Sequence, residues 1–272
     1  MTNQGGWCII GAWLKVNQST DKPNYNTSCP KCQEIKENYL EVNNILNLDV
    51  IKGLRQLDKD SVDLIVTSPP YNLDIGYLDN RDNLTYGDYM QWGREWVWLC
   101  KEVLKPDGRI CINVPIETNL TGKKFIQSDY IWMLESCGYK RMANITWDKR
   151  NVTRRTAWGS WKSPSYPVVN NPLECILVYC KEIPRHAGDK ENIDITREEF
   201  IEYTMGVWNM PPAKKSKVGH PAPFPDELPY RCIKLFSYRN DLVLDPFVGS
   251  GTTVAVAKSL GRRYIGIDIS KQ

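Results

Sequence analysis

The sequence predicts an α/β fold, a mainly parallel sheet covered by helices on both faces. Three observations lead there. Short apolar runs alternate with segments of helical spacing from about residue 39 onward. Two turn-forming motifs, one rich in Pro and one in Gly, each follow such a run directly. The 272 residues suffice for one large α/β domain, or one domain with a small appendage, and can bury a full core.

The elements follow in order. From Tyr39 the pattern is strand, helix, strand. Asp60-Ser61 punctuates the chain before Val62–Val66, a short buried strand. Tyr86–Leu104 carries apolar residues at helical spacing, and Lys105-Pro106-Asp107-Gly108 is expected to stop that helix. Arg109–Val114 is a strand, and Asp129–Cys137 a helix ended by Gly138. Arg141–Trp147 and Glu174–Tyr179 are strands, and Asp226–Ser237 is a helix. Leu242–Leu244, Thr252–Leu260 and Tyr264–Ile267 close the chain as strand, helix, strand. Residues 1–35, rich in Asn, Gly, Ser and Lys without a sustained period, form an N-terminal extension to a domain over 36–272.

Composition narrows the class. Apolar residues make 42% and charged residues 25%, as in an ordinary globular protein. The net charge of +3 does not itself signal nucleic acid, so any such contact depends on local clustering. Nine Cys, several within apolar runs (Cys111, Cys175, Cys180), suit free thiols better than a disulfide framework. Cys29 and Cys32 have half the spacing of a zinc ribbon, but no second such pair exists and no metal is predicted. No signal peptide and no membrane helix is evident, so the expectation is a soluble cytoplasmic protein.

Two motifs carry chemistry. Asp245-Pro246-Phe247-Val248-Gly249-Ser250-Gly251-Thr252-Thr253 leaves a strand and opens a helix. Its glycines permit a tight turn and close approach of a ligand at the carboxyl end of a strand. Asp268 lies 19 residues beyond Gly249, placed to accept hydrogen bonds from a ribose. A phosphate loop would need Lys after Gly251, and a dinucleotide fingerprint would need a third Gly; a plain structural turn is the remaining alternative. The second motif is Thr67-Ser68-Pro69-Pro70-Tyr71-Asn72. Its two prolines fix φ and remove two N–H donors, leaving carbonyls and the Ser68 hydroxyl as acceptors beside the Tyr71 ring. That set suits a flat substrate bearing an amino group. Alone, Pro-Pro-Tyr would better suit a rigid turn with a surface Tyr.

Together, and in this order, the motifs resemble the N4-cytosine and N6-adenine DNA amino-methyltransferases of restriction–modification systems, in the permuted β subclass. The resemblance runs from about Tyr39 to the C-terminus. It includes Ser61–Ile65, Leu104–Gly108, His220–Pro225 and Arg263–Asp268. It implies a Rossmann-like S-adenosylmethionine-dependent methyltransferase fold, a mostly parallel seven-stranded sheet with circularly permuted motif order. It implies S-adenosyl-L-methionine bound by Asp245, Pro246, Phe247, Gly249, Ser250, Gly251, Thr252, Thr253 and Asp268. His220, Pro221 and Phe224 would complete that pocket. Asp49 falls where the family often has an acidic residue near the cofactor adenine, although Leu48 stands where Gly is usual. Ser68, Pro69, Pro70 and Tyr71 would be catalytic.

The resemblance also implies double-stranded DNA as partner, with the target base flipped out of the stack. It admits a homodimer, and a restriction endonuclease encoded alongside but not bound. Ser at the first motif position favours cytosine N4, since adenine N6 members more often have Asp there; N6 methylation or an inactive DNA-binding relative are the alternatives. Carbon-5 methylation needs a Cys after Pro, and none of the nine is so placed. A DNA-contacting insertion is expected around 149–173, where Lys149, Arg150, Arg154, Arg155 and Lys162 interleave with Trp158 and Trp161, without acidic residues.

Overall fold

Strand β2 (Val62–Thr67) is buried along its whole length because helices cover both of its faces. Its side chains alternate: Ile65 joins one core, Leu64 and Val66 the other. The computed structural model describes residues 42–72, 84–118, 124–149, 159–169, 171–213 and 224–270. The expected extension over 1–35 and its boundary lie outside these residues.

The other strands are β1 (Asn44–Asn47), β3 (Leu104–Pro115), β4 (Lys140–Asp148), β5 (Glu174–Cys180), β6 (Val207–Asn209), β7 (Leu242–Asp245) and β8 (Arg263–Asp268). They form one sheet in the order β1-β8-β7-β2-β3-β5-β4-β6. Only β5 runs against its neighbours β3 and β4; every other pairing is parallel. The sheet therefore has eight strands rather than the expected seven. The additional one is β6, whose three residues are too few for a periodic signal and which pairs only with β4.

Helices α1 (Val50–Leu54), α2 (Tyr86–Val103) and α3 (Ile126–Ser136) supply or adjoin the first core, which includes Trp96, Tyr130, Ile112 and Leu244. Helices α5 (Glu227–Phe236) and α6 (Thr252–Ser259) cover the other face with Cys232, Ile233, Val256 and Ala257, together with Trp208 and Met210. Burying each large apolar side chain contributes about 1.5–3 kcal/mol.

Two local readings are revised. The segment Lys105-Pro106-Asp107-Gly108 is not a separate stop. Leu104 already pairs with Val62, and β3 advances to Arg109 while β2 advances only to Leu64, so the segment bulges out of a continuous strand. Helix α4 (Arg197–Tyr203) was absent from the expected order, although Thr196 and Glu199 make a reciprocal capping box that the sequence displays. Arg262, buried at the start of β8, grips both carboxylate oxygens of Asp194 and ties this stretch to the sheet.

Candidate active site at the carboxyl edge of the sheet

Parallel strands deliver their carboxyl ends to one edge, where α/β sheets bind ligands. Along that edge stand Asp49 after β1, Asp268 ending β8, Asp245 ending β7, Ser68 after β2 and Asn113 near the end of β3. Because β5 is antiparallel, its first residue, Glu174, lies at the same edge, and Lys149 follows the end of β4.

The Gly-rich turn is built tightly. Gly249 and Gly251 have φ of 47° and 84°, a left-handed backbone that a side chain strains. Gly249 N–H donates to Asp268 Oδ2 at 2.8 Å, and Ser270 N–H to Asp268 Oδ1 at 2.9 Å. Asp268 thus organises the turn. Phe247 anchors the turn, its ring meeting Trp96 edge-on at 5.1 Å and Trp92 at 5.6 Å. Pro246 is buried and Ser250 exposed, with Ser250 Oγ 3.2 Å from Thr252 Oγ1. Gly251 precedes α6 without a side-chain cap.

Asp245 is fully buried. Its Oδ1 accepts from Thr67 Oγ1 at 2.7 Å and from the Phe247 N–H at 3.0 Å. Its Oδ2 and the neighbouring Thr253 Oγ1 lack a well-aligned partner among the described residues. Burial pushes the Asp245 carboxyl up to about 6, against the pull of Thr253, Thr67 and the Phe247 N–H. The Thr67–Asp245 bond joins the two motif-bearing strands directly. Thr67 was part of the motif but not one of the expected site residues.

In the second motif Pro69 is buried and Ser68, Pro70 and Tyr71 are half-buried. Ser68 Oγ lies 2.5 Å from Tyr71 Oη. Tyr71 donates to the Asn113 backbone carbonyl at 3.1 Å, and Asn113 Nδ2 donates to Tyr71 Oη at 3.2 Å. Tyr89 donates to the Pro70 carbonyl at 3.1 Å. Asn72, with φ of 55°, exchanges two hydrogen bonds with the backbone of Leu84. Asn113 Nδ2 also donates to Glu174 Oε2 at 2.7 Å, and Glu174 Oε1 pairs with Lys149. The sequence reading missed Asn113 and Glu174. The available signal was a single amide inside the apolar run Ile110–Val114.

The other expected residues are distributed as follows. Asp49 caps α1 by accepting from the N–H groups of Ile51 and Lys52. Phe224 is half-buried against the second core. Lys149, one of the expected DNA contacts, pairs through its ammonium with Glu174, which sits across the strand ends, and lies 4.7 Å from the Trp147 ring. Trp161 is 64% exposed, with Lys162 Nζ 5.6 Å from its ring, in a turn closed by a bridge between Gly159 and Pro167. Arg150, Arg154, Arg155, Trp158, His220, Pro221 and the pair Cys29 and Cys32 lie outside the described residues. The six described cysteines are free thiols.

One group resembles a metal cluster: donor atoms of Asp63, His186 and Asp241 lie within 4.8 Å of one another. It sits at the opposite, amino edge of the sheet. Its atoms are already engaged, His186 by Asp107 and Asp241, and Asp63 by Lys105 and the Leu242 N–H.

Comparison with known proteins places the chain. The Type II methyltransferase M.MjaVI of Methanocaldococcus jannaschii is 41% identical over 60% of this chain and 83% of its own length. M.HpaI of Haemophilus parainfluenzae is 33% identical over 82% of this chain and 69% of its own. Among solved structures, the M1.HpyAVI–SAM complex superimposes with a TM-score of 0.56 at 25% identity, covering 84% of this chain and 93% of that one. The profile of the N6/N4 type described as DNA methylase matches residues 62–272. The chain therefore belongs to the N6/N4 DNA methylase family.

Proposed function

We propose that this protein methylates the exocyclic N4 of cytosine in double-stranded DNA, as the modifying partner of a restriction endonuclease. S-adenosyl-L-methionine, when bound, supplies the methyl group. The observation that carries the reading is the Thr67–Asp245 bond. It sets the acceptor-rich Ser-Pro-Pro-Tyr turn directly beside the Gly-rich turn.

The residues fit the cofactor. Gly249 and Gly251 open the backbone, Asp268 offers a carboxylate at the strand end, and Asp245 and Thr253 hold buried polar atoms without a well-aligned partner among the described residues beside the turn. A buried carboxylate with an open oxygen complements a cationic ligand. The chain's own contribution to catalysis is positioning. The amino nitrogen of a base is a weak nucleophile because its lone pair is conjugated into the ring. Ser68 Oγ and the Pro69 carbonyl accept its two hydrogens and favour a pyramidal nitrogen, while Tyr71 receives the flipped base. Ser68 rather than Asp at this position favours cytosine, by the family resemblance.

DNA is held elsewhere, by the exposed Trp161 and Lys162 together with Arg150, Arg154, Arg155 and Trp158. Lys149 serves the pocket instead. The deciding experiment is digestion of DNA from cells expressing the protein, with nucleosides identified by mass. N4-methylcytosine is expected. N6-methyladenine would overturn the choice of base and keep the pocket; no modified base would leave a DNA-binding relative without catalysis.

A further inference from the structure

We infer that Thr67 is a positioning residue for methyl transfer: its hydroxyl, bonded to Asp245, sets the spacing between the Ser-Pro-Pro-Tyr turn and the Gly-rich turn beyond the last backbone pairing of their two strands. The inference rests on the proposed roles of these two turns.

The ladder between β2 and β7 is short. It pairs Leu64 with Val243 and Ile65 with Leu244, and stops there. On their outer sides both strands stay paired for longer, β2 with β3 as far as Thr67 and Ile112, and β7 with β8 as far as Asp245 and Gly266. The two strand ends that carry the motifs are therefore held from outside, while their common ladder has already ended. The sequence supplies a reason. In the same register Thr67 would face Pro246, which has no N–H for a ladder bond.

Side chains close this gap. Thr67 and Asp245 are each 1% exposed, so water competes little for the bond between them. Thr67 Oγ1 donates to Asp245 Oδ1 at 2.7 Å, and the same oxygen accepts the Phe247 N–H at 3.0 Å. One carboxylate oxygen thus links the residue before Ser68 to the Gly-rich turn. Both ends of the link are stiff. A β-branched side chain in a strand has few rotamers, and the Phe247 ring lies edge-on to Trp96 at 5.1 Å. Burial alone does not call for a hydroxyl here, because Thr67 ends a strand that is otherwise apolar but for Asp63 and is buried throughout.

The spacing matters for the reaction. The base nitrogen held by Ser68 and the Pro69 carbonyl must lie close to, and in line with, the methyl group held by the Gly-rich turn. A misplacement of about 1 Å in such an arrangement costs on the order of 10²-fold in rate. Without the Thr67–Asp245 bond each turn keeps its own ligand, but the distance between them relaxes. The signature is a loss of rate with affinities retained.

The test compares wild type with T67V, T67S, D245A and the double variant T67V/D245A, in the full chain with duplex genomic DNA free of amino-methylated bases. Single-turnover methyl transfer at saturating S-adenosyl-L-methionine and DNA is measured beside both dissociation constants. T67V is expected to transfer at least about tenfold more slowly, with both dissociation constants within about twofold. T67S, which keeps the hydroxyl, should recover most of the rate. In the D245A background T67V should cost less than about twofold, because Thr67 acts through Asp245. A bond that only stabilises the fold would lower the unfolding midpoint of T67V and leave transfer by the folded, saturated enzyme unchanged. That result overturns the inference, as does a T67V loss that T67S fails to recover or that persists undiminished in D245A. If T67V does not fold, T67A takes its place in the same cycle; if D245A abolishes transfer, the contrast between T67V and T67S decides. A wild type that transfers no methyl group overturns the reading of the two turns instead, and this inference with it.

Discussion

The two edges of the sheet handle buried polar groups in opposite ways. At the amino edge they are almost fully paired. Asp63 accepts from Lys105 Nζ on one oxygen and from the Leu242 N–H on the other. His186 bridges Asp107 at 3.1 Å and Asp241 at 2.9 Å, and each of these carboxylates also accepts a backbone N–H. Only Arg109 Nε there is buried without a partner among the described residues. At the carboxyl edge Asn113 Oδ1 has no partner among the described residues, and Asp245 Oδ2 and Thr253 Oγ1 have no well-aligned one, although Thr253 draws on the Asp245 carboxyl. A cluster of acids and a histidine looks more like a site than a lone Asp and Thr do. Yet the poorly partnered atoms, not the density of charge, lie at the edge where α/β sheets bind ligands.

The contrast breaks most visibly at His186. Its replacement by Ala leaves Asp107 and Asp241 facing each other without their bridge, and is expected to cost about 3 kcal/mol in urea unfolding. Cofactor affinity should not change. Burial works against protonation of His186, but the hydrogen bond and charge of Asp241, then the charge of Asp107, raise its pKa above the ordinary 6.5. The folded state therefore holds this proton more tightly than the unfolded chain. The stabilisation is complete below pH 6.5 and is lost as pH rises through the folded value. A loss under 1 kcal/mol, or weakened cofactor binding, would show that the edges are not separate.

Asp245 should respond with the opposite sign. A rise from 3.8 to about 6 through burial corresponds to roughly 3 kcal/mol of cost for the charged form. Asp245→Asn, measured without cofactor, is expected to raise stability by about 2 kcal/mol at pH 8. The gain should shrink as pH falls through about 6 and vanish below 3.8, where the wild-type group is neutral in both states. Affinity for S-adenosyl-L-methionine should fall in the same variant, as when a functional group is held at the expense of stability. A destabilised Asp245→Asn would mean that the carboxylate is satisfied after all.

The smallest effect sharpens the comparison within the carboxyl edge. Asp268 lies near Asp245 but has both oxygens bonded to backbone N–H groups. Asp268→Ala should weaken cofactor binding by about 1–3 kcal/mol, read by calorimetry. Stability should fall by about 1 kcal/mol, since only the turn loosens. Equal changes from Asp245→Asn and Asp268→Ala would erase the distinction between an open carboxylate and a closed one.

The sequence alone determined the strands β2, β3, β5, β7 and β8, the long helix α2, both motif turns and their order. These depend on local causes: apolar runs of strand length, helical spacing, glycine at positive φ and proline pairs. It also put Ser68, Tyr71, Asp245 and Asp268 at strand ends, because a strand-end turn is legible from its residues. Only the tertiary structure decided which distant groups meet. The edge strand β6 is defined by its partner, not by three residues. The pairing of Lys149 with Glu174 exists because Glu174 is brought across on an antiparallel strand. Thr67 bonds Asp245 across 178 positions of chain, and Asn113 reaches Tyr71 across 42. Periodicity reports which face a side chain occupies, whereas a hydrogen bond between strand ends depends on sheet order and register, which no local pattern encodes.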